Sequence, residues 1–355
     1  MRCRSGEPPV DDNTLRSPEM DINKQRHLKG NWLAYWEHEV GLSDRQDMFD
    51  FKQIKLQTFT GHTSSVRAIQ VLDNENSFMS ASKDKTVKLW SLRSFGDGSE
   101  RVGCQWTYNK HRKPVFTVSF IESIRLAVSN DSSVHVWDPF VGMCLRQYEA
   151  SKNNPVTAMT PMASPSSCVM TATADAILRL LDVRMEMFTC EFKCTTTPAG
   201  LIRCIAPSPD GHWLAVGYST GIISVLDART GLVAASWKGH EGEILQMKAF
   251  DNMSFVTSSF DQSMTLWNAE DGKAVSVFKG LTEPVHCISF YRGMMLTATT
   301  AKRVGVYPSL DSKVNFTSTK LRSDTFPGVL TTMAVLPANR LLLLGADNGA
   351  IRLLA

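Results

Sequence analysis

Three histidines occupy comparable places in the chain, and their recurrence raises the question of catalysis or metal binding. His62 and His240 each follow a glycine, and His111 occupies the corresponding place in another segment. The surrounding pattern recurs with them, so a structural repeat explains their spacing better than one shared active site does. No metal-ligand spacing is formed by the other histidines, which are His27, His38, His135, His212 and His286. Hydrolase, phosphate-loop and zinc-protease motifs are also absent, and we predict no enzyme, no metal and no cofactor.

The elements that position these residues belong to a repeat of about 44 residues. The repeat closes on a bulky residue in seven places: Trp90, Trp137, Leu181, Leu226, Trp267, Tyr307 and Leu353. Each unit holds four short alternating apolar runs separated by turn residues, a pattern typical of antiparallel strands. Four strands per unit at this period indicate a propeller blade. The sequence therefore predicts an all-β, seven-bladed β-propeller.

The two ends of the repeat region predict how the ring closes and where the domains lie. The last unit shows three strands, and residues 51–59 supply a spare strand that completes it. We assign residues 51–355 to the propeller, residues 1–29 to a disordered tail and residues 30–50 to an aromatic leader. The leader contains a candidate anchor, which either docks on the propeller or contacts another domain or protein: Trp32, Tyr35 and Trp36.

Composition narrows the class of protein. Of 355 residues, 43% are hydrophobic and 21% charged, which excludes a wholly disordered chain or a disulfide-rich miniprotein. No apolar run is long enough to span a membrane, and the N-terminal residues lack a secretory signal, so we expect a cytoplasmic protein. Residues 1–50 carry a net charge of −3 and the remainder +6. Without a concentrated basic stripe, we expect protein partners and no nucleic acid.

The repeat resembles the WD40-repeat family, with Gly-His near its start and Leu-Trp or Val-Trp-Asp at its end. This resemblance implies a hydrogen-bonded tetrad in two blades, formed by His62, Ser80, Asp84 and Trp90 and by His240, Thr257, Asp261 and Trp267. The second blade has a partial set, formed by His111, Asp131 and Trp137. Ala127 occupies its hydroxyl position, which predicts an incomplete network. The remaining blades keep fewer of these residues and are expected to rely on apolar packing.

A narrower resemblance connects the chain to the carboxy-terminal WD40 region of the BEACH-domain proteins. It is carried by GNWLAYWEHEVG at residues 30–41, the following strand and TFTGHTSSVRAI. It implies a short form or fragment without the BEACH domain, acting as a non-catalytic scaffold in endosome and lysosome trafficking and in autophagy. It also implies regulation of an endosomal phosphatidylinositol 3-kinase complex with another WD-repeat trafficking protein, at early and late endosome or lysosome membranes. Membrane association is expected to be indirect.

Two surfaces are candidates for binding a partner. Turns expected at one end of the ring carry Lys83, Asn130, Tyr218, Phe260, Lys302 and Arg303, with Phe260 as the best anchor. Two strand ends resemble the Trp-Asp-x-Arg boxes of cullin-4 ligase receptors, although leucine replaces tryptophan: Asp182 with Arg184, and Asp227 with Arg229. A substrate-receptor adaptor of a cullin-4 ubiquitin ligase is therefore the alternative function. In the structural interpretation, each arginine only pairs with its neighbouring aspartate, which contributes about 0–1 kcal/mol.

Overall fold

Every described regular element is a β-strand, as the alternating apolar runs predict. The computed structural model describes residue 49 and residues 51–72, 75–92, 101–149, 154–194 and 200–355. The predicted tail and nearly all of the predicted leader, including Trp32, Tyr35 and Trp36, lie outside the described residues. Within the described part, no helix combines the length and the apolar character that a membrane crossing requires.

The described strands form seven sheets, numbered here as blades 1–7 and given with their strands from the ring axis outward. The first strand in the chain is β1 (Lys55–Phe59). Blade 1 contains β2 (Val66–Val71), β3 (Ser77–Ser82), β4 (Val87–Ser91) and, after a short β5 (Arg101–Val102), β6 (Trp106–Tyr108). Blade 2 contains β7 (Thr117–Ile121), β8 (Leu126–Asn130), β9 (Val134–Trp137) and β10 (Cys144–Tyr148). Blade 3 contains β11 (Val156–Pro161), β12 (Cys168–Thr173), β13 (Ile177–Asp182) and β14 (Cys190–Lys193).

The second half of the ring repeats this order. Blade 4 contains β15 (Ile202–Pro207), β16 (Trp213–Tyr218), β17 (Ile222–Asp227) and β18 (Val233–Lys238). Blade 5 contains β19 (Ile244–Ala249), β20 (Ser254–Ser259), β21 (Met264–Asn268) and β22 (Ala274–Phe278). Blade 6 contains β23 (Val285–Tyr291), β24 (Met294–Thr299), β25 (Arg303–Tyr307) and β26 (Thr317–Lys320). Blade 7 contains β27 (Leu330–Leu336), β28 (Leu341–Ala346) and β29 (Ile351–Leu354), followed by β1 and β5.

Strand β1 closes the ring, as predicted. It pairs antiparallel with β29, with Phe59 opposite Ile351 and Gln57 opposite Leu353. The Phe59 side chain is fully buried, and its ring centroid lies 4.9 Å from that of Phe78 in blade 1. One apolar cluster thereby joins blades 7 and 1, and six further clusters each join residues of two neighbouring blades. Packing between blades therefore runs around the whole circle.

Burial within a blade follows the strand order. In blade 4, β16 has a neighbour on each side and is buried along nearly its whole length, whereas the outermost β18 alternates between exposed and half-buried residues. Because successive strands run antiparallel, the connections fall into two groups at opposite ends of the ring. Loops between blades and turns between second and third strands lie at the upper end. Turns between first and second strands and between third and fourth strands lie at the lower end.

Candidate functional site

A buried polar network ties the upper loop of blade 1 to its second and third strands. His62 Nδ1 lies 2.8 Å from Asp84 Oδ2, and His62 Nε2 lies 2.7 Å from Ser80 Oγ. The Trp90 indole N–H donates to the same hydroxyl at 2.7 Å. These are the hydrogen bonds predicted for the tetrad of blade 1. Each buried polar side chain has a partner, which is the condition for keeping such groups in an apolar interior.

The aspartate of this network is held in its ionised form. Burial on its own raises the pKa of the Asp84 carboxyl. Hydrogen bonds from His62, Thr86 and the Thr63 amide outweigh burial and hold this pKa well below its usual range. Neighbouring groups of the same blade donate to both carboxylate oxygens, so the geometry supports a structural role for Asp84.

Blade 5 has the same network with a threonine hydroxyl. His240 Nδ1 lies 3.1 Å from Asp261 Oδ2, and His240 Nε2 lies 2.7 Å from Thr257 Oγ1. The Trp267 indole N–H donates to that hydroxyl at 2.8 Å. Burial lowers the pKa of His240, and the neighbouring Asp261 opposes this effect only in part. The imidazole is therefore neutral near pH 7, as a hydrogen-bond relay requires.

Ser129 supplies the hydroxyl of blade 2, so the prediction that Ala127 occupies this position was wrong. The network is incomplete as predicted, because His111 Nδ1 has no hydrogen bond to the described residues. His111 Nε2 lies 2.7 Å from Ser129 Oγ, and the Trp137 indole N–H donates to that hydroxyl at 3.0 Å. The hydroxyl residue and the tryptophan are eight residues apart here but ten apart in blade 1, because the connecting hairpin is shorter. One distance is longer than in blades 1 and 5: His111 Nδ1 lies 3.5 Å from Asp131 Oδ2.

A second histidine lies against this network and was missed by the search for metal-ligand spacing. His135 on β9 is 2% exposed, and its ring stacks on that of His111 with centroids 4.0 Å apart. Its Nδ1 lies 2.9 Å from the Tyr108 hydroxyl of blade 1. Burial, with a contribution from His111, lowers the pKa of His135 to about 4. Strand register, not sequence spacing, brings the two histidines together, since His135 lies opposite Ser129. The available signal in the sequence was the position of His135 two residues before Trp137.

Blade 3 replaces the tetrad with a buried arginine, which corrects the expectation of apolar packing alone. Arg179 on β13 is 7% exposed. Its Nη2 lies 3.0 Å from Asp175 Oδ2, and its Nε lies 2.6 Å from Glu191 Oε1. The Thr171 hydroxyl, at the tetrad position, donates to the Arg179 carbonyl oxygen at 2.9 Å. Two carboxylates thus compensate the one buried cation.

Comparison with known proteins agrees with this geometry. The family model "WD domain, G-beta repeat" matches residues 53–91, which include the complete tetrad of blade 1. The chain belongs to the WD40-repeat family. A second model, "Anaphase-promoting complex subunit 4 WD40 domain", matches residues 187–252. WD40 propellers are generally non-catalytic, and the chain has the WD repeats of this family.

Longer WD40 proteins are similar to almost the whole chain. It is 44% identical over 353 residues to WD repeat-containing protein 81 of Danio rerio, across 98% of this chain and 17% of that protein. The Homo sapiens protein of the same name is 41% identical over 348 residues, 97% of this chain and 18% of that protein. Suppressor of organelle fusion 2 of Caenorhabditis elegans is 32% identical over 311 residues, 87% of this chain and 22% of that protein. The chain thus spans less than a quarter of the length of these relatives.

The predicted contact residues at the upper end of the WD40 ring differ in exposure. Phe260, in the turn between β20 and β21, is 63% exposed and does not fold onto a neighbouring blade. Lys83 is exposed in the equivalent turn of blade 1, and Lys302 and Arg303 are half-buried in blade 6. These four positions remain candidates for partner contact.

Two other predicted contact residues are buried, so their assignment to the surface was wrong. Tyr218 ends β16 and packs in the apolar cluster between blades 3 and 4, beside Cys194. Asn130 ends β8, and its side-chain oxygen accepts a hydrogen bond from the Thr117 amide at 3.1 Å. Each residue is the last of a second strand, a position that lies inside the blade although it precedes an exposed turn.

The lower end carries a row of exposed apolar side chains that the sequence analysis missed. They recur in the turn between the third and fourth strands of blades 2, 3 and 4, and we call them the lower apolar rim: Phe140, Val141, Met143, Met185, Met187 and Leu232. Their exposed fractions lie between 52% and 76%. Isolated exposed apolar residues are ordinary, but recurrence at one place in three consecutive blades is typical of an interaction surface.

Packing from the preceding blade fixes the turns of this rim. Gly142 has a φ of +80°, and a Cβ there would lie 1.8 Å from a ring carbon of Trp106 in blade 1. Gly231 has a φ of +71°, and a Cβ there would lie 1.9 Å from the Phe192 ring in blade 3. Glycine is therefore required at both turns, and an aromatic ring covers each. Turns held in this way lose little conformational entropy when a partner binds.

The candidate adaptor residues lie in the same lower turns. The Arg184 guanidinium pairs with both carboxylate oxygens of Asp182, the nearer contact being 2.7 Å, and this lowers the pKa of Asp182 to about 2. Asp227 instead accepts hydrogen bonds from the Arg229 and Thr230 amides at 3.0 and 2.7 Å. Arg184 thus pairs with its neighbouring aspartate, Asp182, as expected if the arginine has only a structural role. Asp227 instead stabilises its own turn, and Arg229 is exposed.

Proposed function

We propose that this WD40 propeller is a non-catalytic scaffold that binds a protein partner at the lower apolar rim. The observation that carries the proposal is the row of exposed Phe, Val, Met and Leu side chains on blades 2–4. Aromatic and methionine side chains are enriched at the centres of protein interfaces, and the rim turns are held rigid by the preceding blade.

We further propose that the scaffold acts in endosome and lysosome trafficking and in autophagy, at the cytoplasmic side of early and late endosomes or lysosomes. Support comes from the 41–44% identity to WD repeat-containing protein 81 and from the similarity to a protein named Suppressor of organelle fusion 2. The proposed partners are another WD-repeat trafficking protein and, through it, a phosphatidylinositol 3-kinase complex. Attachment to the membrane is then indirect, through these proteins.

The test is affinity capture from cells with the full chain and two single variants, followed by mass spectrometry. Met187→Glu places a charge in the lower apolar rim, and Phe260→Glu places the same charge at the upper end. We expect Met187→Glu to lose the trafficking partner at least about tenfold, because a buried interface does not accommodate an unpaired carboxylate, and Phe260→Glu to retain it. Loss with Phe260→Glu alone would move the site to the upper end.

A cullin-4 ligase adaptor function is the second candidate, favoured by the exposed Arg184 and Arg229 in neighbouring lower turns. The double variant Arg184→Ala/Arg229→Ala leaves the apolar side chains of the rim in place. If the chain is a ligase adaptor, this variant loses the ligase subunits during capture. If no ligase subunit is captured by the unaltered chain, the adaptor function is wrong.

A further inference from the structure

One position distinguishes blade 2 from blades 1 and 5, which have complete tetrads. Two residues before the closing tryptophan, blade 1 has Lys88, blade 5 has Thr265 and blade 2 has His135. On β9 this position lies opposite the tetrad hydroxyl of Ser129. The substitution therefore places a second imidazole directly on the tetrad histidine, inside the protein.

Within the described part of the chain, the hydrogen bonds of the two imidazoles leave His111 Nδ1 without a partner and place His135 Nε2 beside one hydroxyl, that of Ser133, at 3.2 Å. His111 uses Nε2 for the Ser129 hydroxyl at 2.7 Å, and His135 uses Nδ1 for the Tyr108 hydroxyl at 2.9 Å. Among the described residues, His111 Nδ1 is buried without a hydrogen-bond partner, and Asp131 Oδ2 lies 3.5 Å from it. Metal-binding histidines characteristically engage their other ring nitrogen in this way, which fixes the tautomer and the ring orientation.

We propose that His111, Asp131 and His135 form a binding site for a divalent transition-metal ion of the zinc type. Two imidazole nitrogens and a carboxylate oxygen are ligands that zinc accepts, with a fourth position open to water. The three candidate ligand atoms lie within 4.8 Å of one another. Tetrahedral zinc places such atoms about 3.4 Å apart. The His111 and Asp131 atoms already have this spacing. The third ligand atom, His135 Nε2, exchanges its hydrogen bond to Ser133 for the ion and moves closer to the other two.

Solvent reaches the cluster from one side. A cleft of about 320 Å³ is lined by Asp131, Ser133 and Gln147, with Arg112, Lys113 and Glu149 also on its walls. Asp131 is the member of the cluster that lines this cleft, so its carboxylate is the part that an entering ion meets first. Through Tyr108 on β6, the proposed site also links the outermost strand of blade 1 to blade 2. A bound ion would therefore stabilise the contact between these two blades, in addition to the tetrad.

Blades 1 and 5 provide an internal comparison. In blade 1, His62 Nδ1 approaches its aspartate to 2.8 Å, and Lys88 occupies the position of His135, so no second imidazole is present there. In blade 5, His240 Nδ1 lies 3.1 Å from its aspartate, and Thr265 occupies that position. The metal site is accordingly proposed for blade 2, and its critical residue is the second histidine.

The experiment is a zinc titration of the full chain, stripped with a chelator and measured by competition with a chromophoric indicator. The background carries Cys3→Ser and Cys190→Ser, which removes the exposed thiol at 190 and the thiol of the predicted tail as rival ligands. His135→Thr installs the blade 5 residue, and His212→Gln, at an exposed histidine, is the matched control. Tyr108→Phe keeps the buried ring and removes only the hydroxyl that orients His135.

We expect one zinc ion per chain and unchanged binding by the His212→Gln variant. Binding should weaken at least about 100-fold in His135→Thr, which loses a direct ligand, and about 10-fold in Tyr108→Phe, which loses an orienting group. Cobalt bound to the chain with the two cysteine substitutions alone should show the visible absorption of a four-coordinate site, and this readout does not depend on the folding of the histidine and tyrosine variants. The proposal is wrong if that chain binds no zinc or gives no cobalt spectrum, or if His135→Thr binds zinc as tightly as the control does.

Discussion

Replacing His135 with threonine should make the propeller more resistant to acid. The His135 ring is 2% exposed and lies beside His111, and burial lowers its pKa to about 4. An unfolded chain protonates a histidine near pH 6.5. Between these two values the unfolded state binds a proton that the folded state does not. Stability is therefore full above pH 6.5 and is lost as the pH falls towards 4.

The size of this loss follows from the two pKa values. The interval from 6.5 to about 4, at about 1.4 kcal/mol for each pH unit, corresponds to about 3 kcal/mol in the free energy of unfolding. Most of this amount, about 2–3 kcal/mol, is already lost at pH 4.5. Threonine does not titrate. It is also the residue found at the equivalent position of blade 5, Thr265, so a propeller blade accommodates it at this place.

The assay is urea denaturation of the unaltered chain and of His135→Thr at pH 7 and pH 4.5, with a chelator present to exclude metal effects. Other titrating groups are shared by both proteins, so the difference between their pH dependences isolates His135. We expect the unaltered chain to lose about 2–3 kcal/mol more than the variant between the two pH values. Equal losses would refute the assignment of His135 as a buried, neutral imidazole.

Three further predictions concern stability. Ser80→Ala removes the hydroxyl shared by the histidine and tryptophan of blade 1 and should cost about 2–4 kcal/mol in urea denaturation, while Ser80→Thr, the blade 5 pattern, should be nearly neutral; equal effects would contradict the shared hydrogen bonds. Asp175→Ala leaves the buried Arg179 with less compensation and should lower the melting temperature more than Arg179→Met does, because methionine needs no counter-charge; the reverse order would contradict the ion-pair account of blade 3. Removing residues 1–59 deletes β1 and should abolish cooperative unfolding seen by circular dichroism, whereas removing residues 1–29 should have no effect; a folded shorter chain would refute the closure of the ring by β1.

The overall fold was predictable because a repeat multiplies its own signal. Seven closing residues at one period each reported the same four-stranded unit, so ambiguity in any single strand was resolved by the others. The closing strand was also predictable, since residues 51–59 formed one strand more than the first blade needed. Its pairing with β29 follows from the requirement that two exposed sheet edges be covered.

The details of single blades were less predictable because they depend on register and on which way a strand end faces. Ser129 was missed because counting from Trp137 assumes a hairpin of constant length. Tyr218 precedes an exposed turn, but its side chain points into the cluster between blades. The cluster of His111 and His135 arises from pairing between strands, which residue spacing does not report.

The central functional claim is that a protein partner binds the lower apolar rim, and site-specific photocrosslinking tests it most directly. A photoreactive residue is placed at position 187 in the rim or at position 260 at the upper end, both of which are exposed. Crosslinks formed in cells are then identified by mass spectrometry. We predict that the trafficking partner crosslinks from position 187 and not from position 260. Crosslinks to that partner from position 260 alone would contradict the account.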